Sequence, residues 1–206
     1  MTKTNILFYG DSIFERAFTE EYGFGHLLNS GLSGKANLIN CGVGGDKIYD
    51  LVIRFDKDIS PLDLDIIIVN TGTNDVNHKF EKHTGTDRGK YKKYLDLLLT
   101  KLKTAAPHVI LCPAAVGGEN ISDTNPRNLE HDAYAEIASE LCKKHEVIFC
   151  DIRNAFKRYL SIHNPDNHDS GILTFDRVHL NASGNKLYAE SLMPCIENYV
   201  DRANRS

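Results

Sequence analysis

Short segments that are apolar throughout recur along the chain, and amphipathic segments separate them. A strand without alternation of apolar and polar residues belongs to a sheet that is covered on both faces. Alternation of such strands with helices predicts an α/β fold, a single-domain three-layer α/β/α sandwich on a five-stranded parallel sheet. The predicted strands are Ile6–Tyr9, Leu38–Asn40, Ile66–Asn70, Val109–Cys112 and Val147–Cys150.

Apolar residues at steps of three and four predict the helices between these strands. Their apolar faces combine Ile48, Leu51, Val52 and Phe55; Tyr91, Tyr94, Leu95, Leu98, Leu99 and Leu102; Leu129, Ala133, Ile137 and Leu141; and Leu187, Leu192, Ile196 and Val200. No repeat or interdomain linker interrupts the pattern, so we expect one domain over residues 1–206. Three long polar connections remain: Thr71–Gly89, Pro113–Arg127 and Ser161–Val178. Open α/β sheets bind ligands at the carboxyl ends of their strands, where the first two of these connections begin.

Charge and composition limit the classes of partner that this protein is expected to bind. The hydrophobic fraction is 41%, the charged fraction 25% and the net charge −4, with a pI near 6.1. This balance gives no basic surface for nucleic acid or anionic lipid. No apolar stretch reaches the length of a membrane-spanning helix, so we expect no stable membrane insertion. The oligomeric state is left open.

The cysteines and the N-terminus bear on cellular location. Five scattered cysteines form no C-x-x-C pair, which argues against a zinc knuckle or a dithiol redox site. The first polar motif begins at Gly10, which leaves no space for a signal peptide. We therefore expect a reduced, cytoplasmic protein.

Ser12, Asp176 and His179 supply the residue types of hydrolytic serine chemistry. A serine hydroxyl is a poor nucleophile at neutral pH unless an imidazole accepts its proton. A carboxylate three residues before a histidine reaches the ring Nδ1–H, which leaves Nε2 free to face the serine. Each motif taken alone is more typical of a turn or a helix N-cap than of a catalytic site, so the argument depends on their combination.

Four motifs lie where the predicted strands end or the last helix begins. They are Gly10-Asp11-Ser12, Asn40–Asp46, Gly72–Asp75 and Asp176–His179. In this order the chain resembles the GDSL or SGNH hydrolase family, from Ile6 to about the final helix. Ile13 stands where the family usually has leucine. The G-x-S-x-G nucleophile elbow is absent, which argues against the α/β-hydrolase fold.

The resemblance implies a flavodoxin-like sheet and a set of site residues. Ser12 is the expected nucleophile, His179 the base and Asp176 the carboxylate that orients it. An oxyanion hole is expected from the N–H groups of Ser12 and Gly45 and from Asn74 Nδ2. Asp11, Asp75 and Val178 are weaker candidates for substrate contact, and Asp75 is better suited to bracing its loop. No metal or organic cofactor is implied.

These residues predict a carboxylic ester hydrolase that works through an acyl-serine intermediate. The family includes lipases, esterases, lysophospholipases and carbohydrate deacetylases. Polar residues in the long connections favour a short-acyl ester or an O-acetyl group on a small or carbohydrate-like substrate. These residues are Asn120, Ser122, Asp123, Asn125, Asn164, Asn167 and His168. A lysophospholipase or lipase is the alternative within the family.

Two readings from other classes stay open at this point. A metal-dependent phosphoesterase would use oxygen and imidazole ligands at the strand ends, from Asp11, Asp46, Asn74, Asp75, Asp176 and His179. Only His179 among the histidines lies in a motif, which is poor for such a site. A non-catalytic binding module is the other reading, since a fold does not imply activity. The sequence assigns no role to His78, His83, His163 and His168.

Overall fold

A five-stranded parallel sheet forms the centre of the computed structural model, which describes residues 3–203. The strands are β1 (Thr4–Gly10), β2 (Ala36–Gly42), β3 (Ile66–Thr71), β4 (His108–Pro113) and β5 (Ile148–Phe149). The helices are α1 (Ser12–Thr19), α2 (Phe24–Gly31), α3 (Ile48–Asp58), α4 (Thr73–Glu81), α5 (Arg88–Ala105), α6 (Pro126–His145), α7 (Ile152–His163) and α8 (Ala182–Ala203). Among these described residues, no helix combines the length and apolar character needed to cross a bilayer.

The strand order is β2-β1-β3-β4-β5, so β1 lies between β2 and β3. Gly10 at the end of β1 is in register with Gly42 at the end of β2. On the other side, Tyr9 pairs with Val69 of β3. All three strands run in parallel, so their carboxyl ends meet at one edge, and the predicted motifs follow them there.

Helices cover both faces of the sheet, which confirms the predicted fold class. Ile6 and Phe8 of β1 face one apolar cluster, formed with α1, α2, α7 and α8. Leu7 and Tyr9 face the other, formed with α3, α5 and α6. All four side chains are fully buried. Because both faces of β1 are buried, its residues Ile6–Tyr9 form an uninterrupted apolar run.

Several predicted boundaries are wrong. The connection Thr71–Gly89 contains helix α4, whose first turn buries polar side chains and so has no apolar periodicity. The connection Pro113–Arg127 begins with six buried residues, 114–119, and is not a polar rim there. Leu129 is 46% exposed, because α6 turns Tyr134, Ala138 and Leu141 toward the core instead. Strand β5 is shorter than predicted and pairs only with Ile110 and Leu111.

Candidate active site

Ser12 is the first residue of helix α1 and directly follows β1 and the N-cap Asp11. The Asp11 side chain accepts a hydrogen bond from the Ile13 N–H at 2.9 Å. Among the described residues, no acceptor is bound to the Ser12 N–H. A free N–H at the positive end of a helix is suited to a developing negative charge. The turn from β1 into α1 thus presents both the hydroxyl and this donor at the sheet edge.

Ser12, His179 and Asp176 form one hydrogen-bonded chain. Ser12 Oγ lies 3.1 Å from His179 Nε2. His179 Nδ1 lies 2.7 Å from Asp176 Oδ2. Because Nδ1 donates to the carboxylate, Nε2 is left to accept the serine proton. The structure therefore brings together the three side chains that the sequence predicted, in the order that proton transfer requires.

The carboxylate of Asp176 is held by the backbone as well as by the ring. Its Oδ1 accepts from the N–H groups of Val178 at 3.1 Å and His179 at 2.8 Å. Burial on its own raises the pKa of Asp176, but these hydrogen bonds and the one from the ring outweigh it and keep the pKa below its usual value. Asp176 therefore stays ionised while it orients His179.

The β2–α3 loop (residues 43–47) lies against the N-terminal turn of α1. A Cβ built on Gly42, just before the loop, would stand 2.2 Å from the Glu15 nitrogen, so only glycine allows this approach. A Cβ on Gly44 would lie 3.8 Å from the Ser12 Cβ. The loop therefore borders the Ser12 hydroxyl.

Gly45 in this loop has a φ of +87°, a conformation that L side chains rarely adopt. A Cβ there would meet no atom within 4 Å, so conformation and not crowding by the protein explains the glycine. Among the described residues, no oxygen accepts from the Gly45 N–H. That donor is exposed and available for a ligand.

Asn74 and Asp75 connect helix α4 to the C-terminal end of the β2–α3 loop and to the start of α3. Asn74 Nδ2 donates to the Asp46 carbonyl oxygen at 3.0 Å. An amide nitrogen carries two hydrogens, so one remains for a ligand oxygen. Both carboxylate oxygens of Asp75 accept from the Ile48 N–H, at 3.2 and 3.1 Å. Asp75 thus fixes the start of α3, in the bracing role expected from the sequence.

Asp11 and Asp75 are 2% and 0% exposed. Burial, reinforced by the negative charge of Asp75 and Asp46 and opposed by the Ile13 N–H, raises the pKa of Asp11 to about 7. Burial likewise raises the pKa of Asp75 to about 6. The Val178 side chain is half-buried and packs against the core on the α1 and α8 face. These three residues support the site as placed, and their direct contact with substrate stays a prediction.

Arg54 of α3 is a residue that the sequence did not single out. Its Nη2 donates to the carbonyl oxygens of Gly10 and Cys41, each at 2.9 Å. Its Nε donates to Asp46 Oδ2 at 2.6 Å. The guanidinium also stacks 4.2 Å from the centre of the Tyr9 ring. One side chain thus joins the ends of β1 and β2 to the loop that carries Gly45.

The four histidines to which the sequence assigned no role lie outside the Ser12–His179–Asp176 site. His78 contacts Lys82 at 3.2 Å, and His163 stacks on Tyr159 with 4.2 Å between ring centres. His83 and His168 are exposed in loops. Within residues 3–203, no three His, Cys, Asp or Glu side chains form a group that suits a metal ion.

Comparison with known proteins shows which family the chain resembles over most of its length. Residues 8–187 match the GDSL-like Lipase/Acylhydrolase family. A solved acetyl xylan esterase, AlAXEase, is 35% identical, covers 93% of this chain and 99% of its own, and superposes with a TM-score of 0.88. An acetylxylan esterase of Geobacillus stearothermophilus is 25% identical over 210 residues, covering 91% of each chain. LAE5, an enzyme from the metagenome of Lake Arreo, is 24% identical with a TM-score of 0.80 over 93% of this chain and 94% of its own, and shares the fold.

The family match spans most of the chain and includes the strand ends, loops and final turn that assemble the Ser12–His179–Asp176 chain. The protein therefore belongs to the GDSL-like lipase/acylhydrolase family and is a carboxylic ester hydrolase.

Proposed function

We propose that this protein is a serine esterase that removes acetyl groups from hydroxyl-rich, carbohydrate-like substrates. The observation that carries the proposal is the continuous hydrogen-bonded chain from Ser12 Oγ through the His179 ring to Asp176. In this arrangement Ser12 is the nucleophile, His179 the general base and acid, and Asp176 the residue that fixes the imidazole tautomer.

The first half of the reaction forms an acyl-enzyme. Ser12 Oγ attacks the ester carbonyl carbon while its proton passes to His179 Nε2. The negative charge on the carbonyl oxygen is stabilised by the N–H groups of Ser12 and Gly45 and by the second Nδ2 hydrogen of Asn74. The bond from the carbonyl carbon to the alcohol oxygen then breaks, and His179 gives its proton to the departing alcohol. Asp176 stabilises the imidazolium in the interval.

The second half returns the enzyme to its starting state. A water molecule gives one proton to His179 Nε2 and attacks the carbonyl carbon of the acyl-serine. The same donors stabilise the second oxyanion. The ester bond to Ser12 Oγ breaks, His179 returns the proton to that oxygen, and acetic acid leaves and ionises in the solvent. Every proton that moves during bond making and breaking passes through the one imidazole.

Two observations support an acetyl ester on a carbohydrate. AlAXEase and the Geobacillus enzyme are both acetylxylan esterases and align with nearly the whole chain. The surroundings of Ser12 are open, since Val43, Gly44, Gly45, Phe175 and Arg177 are all exposed. Open surroundings leave room for a bulky, hydrated alcohol and enclose a long alkyl chain poorly.

The experiment compares acyl chains and alcohols on the purified protein. We expect kcat/KM on p-nitrophenyl esters to fall steadily from acetate to octanoate, and acetate to be released from acetylated xylo-oligosaccharides. A maximum at octanoate, or hydrolysis of a lysophospholipid in preference to the oligosaccharide, would identify a lipase or lysophospholipase instead. The same assay after dialysis against EDTA tests the phosphoesterase hypothesis. That hypothesis requires that activity be lost and then restored by manganese or zinc.

A further inference from the structure

A buried carboxylate lies beneath the segment that carries Asp176 and His179. Glu119, at the end of the buried segment 114–119 that follows β4, is 0% exposed. Its Oε1 accepts from the Leu173 N–H at 2.7 Å, the Thr174 N–H at 2.5 Å and the Thr174 hydroxyl at 2.7 Å. Its Oε2 accepts from the Ile172 N–H at 2.9 Å. Three consecutive backbone donors and one hydroxyl therefore converge on one side chain.

The segment that Glu119 holds is the histidine loop (residues 164–181), which joins α7 to α8. Its only pairing of strand type among the described residues is the isolated bridge between Thr174 and Leu180. Inside that bridge, the Phe175 N–H donates to the His179 carbonyl oxygen at 2.9 Å. Thr174 is thus one residue from the turn that holds Asp176 and His179, and its position is set by Glu119.

Further hydrogen bonds join Gly118 and the Glu119 backbone to the same loop. The Gly118 N–H donates at 2.7 Å to the carbonyl oxygen of Arg177, the residue that lies between Asp176 and Val178 in sequence. The Glu119 N–H donates to the Asp169 carbonyl oxygen at 2.9 Å. Asn164 Nδ2 donates to the Glu119 carbonyl oxygen at 3.0 Å. The end of β4 and the histidine loop therefore meet in a continuous set of hydrogen bonds.

We infer that Glu119 is a positioning residue for the reaction, which fixes the Asp176–His179 pair at the distance from Ser12 that proton transfer requires. This inference rests on the roles proposed above for those three residues. A buried carboxylate is costly unless all its oxygens are hydrogen-bonded, so simple packing would be served better by an apolar side chain. What an apolar side chain lacks is the ability to orient three successive N–H groups. A displacement of about 1 Å at a catalytic group reduces rate by about 100-fold.

The test is Glu119→Gln, with Glu130→Gln as the matched control. The glutamine keeps one acceptor oxygen but turns an NH₂ group toward at least one N–H donor. Glu130 is also largely shielded, bonds Lys79 at 2.6 Å, and lies on α6 outside the site. We expect Glu119→Gln to lower kcat on p-nitrophenyl acetate about 10- to 100-fold with KM within about twofold. Glu130→Gln should leave both constants within about twofold.

A spectroscopic signal reports the same geometry without turnover. The Nδ1 proton of His179, bonded to Asp176, should give a downfield proton resonance that Asp176→Asn abolishes and so assigns. We expect Glu119→Gln to broaden or shift it and Glu130→Gln to leave it unchanged. If Glu119→Gln keeps both the resonance and kcat, or if the two variants lose activity equally, Glu119 is a structural residue only.

Two further variants keep the inference testable. Thr174→Val removes one of the four donors, so if Glu119→Gln does not fold, this variant should show a smaller kcat loss, about 3- to 10-fold, with KM unchanged. An unchanged kcat in Thr174→Val would then overturn the inference.

Ser12→Ala distinguishes failure of the proposed function from failure of the role of Glu119. If it remains active, the proposed function is wrong, whereas an inactive Ser12→Ala beside a fully active Glu119→Gln removes only the role of Glu119.

Discussion

The two halves of the active site are built in different ways. Ser12, Gly45 and Asn74 follow the ends of the three neighbouring strands β1, β2 and β3, and Ser12 and Asn74 are 9% and 8% exposed. Asp176 and His179 lie on a loop between two helices, and the Asp176 side chain is 54% exposed. In the first half, backbone register places the chemistry. In the second half, hydrogen bonds from backbone N–H groups to the carboxylates of Glu119 and Asp176 do so.

Because of this difference, we expect the two halves to contribute differently to catalytic rate and to the free energy of unfolding. The sheet half shares its residues and contacts with the core, so damage to its supports should lower both activity and the free energy of unfolding. The histidine loop has little strand pairing, so changes that leave its buried residues Leu173 and Leu180 in place should lower activity at a smaller cost to the fold. Substitutions in the sheet half, compared with Glu119→Gln at the histidine loop, test this division.

Ser12→Ala should have the largest effect. Loss of the nucleophile removes the acyl-enzyme route, so we expect kcat on p-nitrophenyl acetate to fall by about 10⁴- to 10⁶-fold. Ser12 is at the first position of α1 and alanine is a good helix former, so the denaturant midpoint should stay close to that of the wild type. A fluorophosphonate probe should label the wild type and not the variant. Near-normal turnover by the variant would show that another residue is the nucleophile.

Asn74→Ala should lower kcat by about 100- to 1,000-fold with a much smaller change in KM, because an oxyanion donor acts mainly in the transition state. The comparison variant is Asn37→Ala. The Asn37 amide donates to the Asn5 side chain at an exposed position near the amino end of β2, at the opposite edge of the sheet from the site. It should retain full activity. If Asn74→Ala changes KM alone, Asn74 serves only to brace the loop through the Asp46 carbonyl oxygen.

Arg54→Lys should lower rate and stability together. Lysine keeps the charge but lacks the planar fork that reaches Gly10, Cys41 and Asp46 at once. We expect the free energy of unfolding in urea to fall by about 1–3 kcal/mol, since donors to the Gly10 and Cys41 carbonyl oxygens are lost, and kcat to fall about 10-fold. Arg16→Lys, in an exposed pair with Glu20, is the control and should change neither. Loss of rate with full stability would contradict the division between the two halves.

Asp11→Asn should change how stability depends on pH. The folded-state pKa of Asp11, about 7, lies above the ordinary value of 3.8, so folding favours the protonated form. The contribution of Asp11 is therefore greatest below about pH 4 and is lost as pH rises to about 7. Asparagine keeps the cap without the charge, so we expect the variant to gain about 1–4 kcal/mol over the wild type at pH 8 and almost nothing at pH 4. Equal differences at both pH values in urea unfolding would refute this.

The sequence was sufficient to predict the buried strands and the edge of the sheet at which the motifs meet. β1 and β3 are buried on both faces and therefore read as apolar runs, and the motifs after them fall at the sheet edge because the strands are parallel. The Ser12–His179–Asp176 contacts were predictable because the residue types are specific and the family resemblance fixes their roles.

The supports of the site were not predictable in the same way. Arg54 lies off the apolar face of α3, and its bond to Gly10 joins residues 44 apart in sequence. Glu119 reaches Thr174 across 55 residues, and nothing in its local sequence marks it except the preceding glycines and the apolar strand. Helix α4 was missed because its buried first turn is polar. Long-range contacts of this kind leave no periodic signal.

The placement of Ser12, the proposed nucleophile, directly after the first strand has a consequence for how the protein is made. The bond between Ser12 and His179 joins residues 167 positions apart, and Asn185 of α8 accepts from the Phe24 N–H near the start of the chain. Chains emerge from the ribosome N-terminus first, so Ser12 is exposed long before its base exists. With Ser12 as the proposed nucleophile, nascent chains therefore carry an inert serine, and hydrolysis starts only once α8 has docked. Catalytic activity in a preparation would accordingly report the molecules that have completed folding.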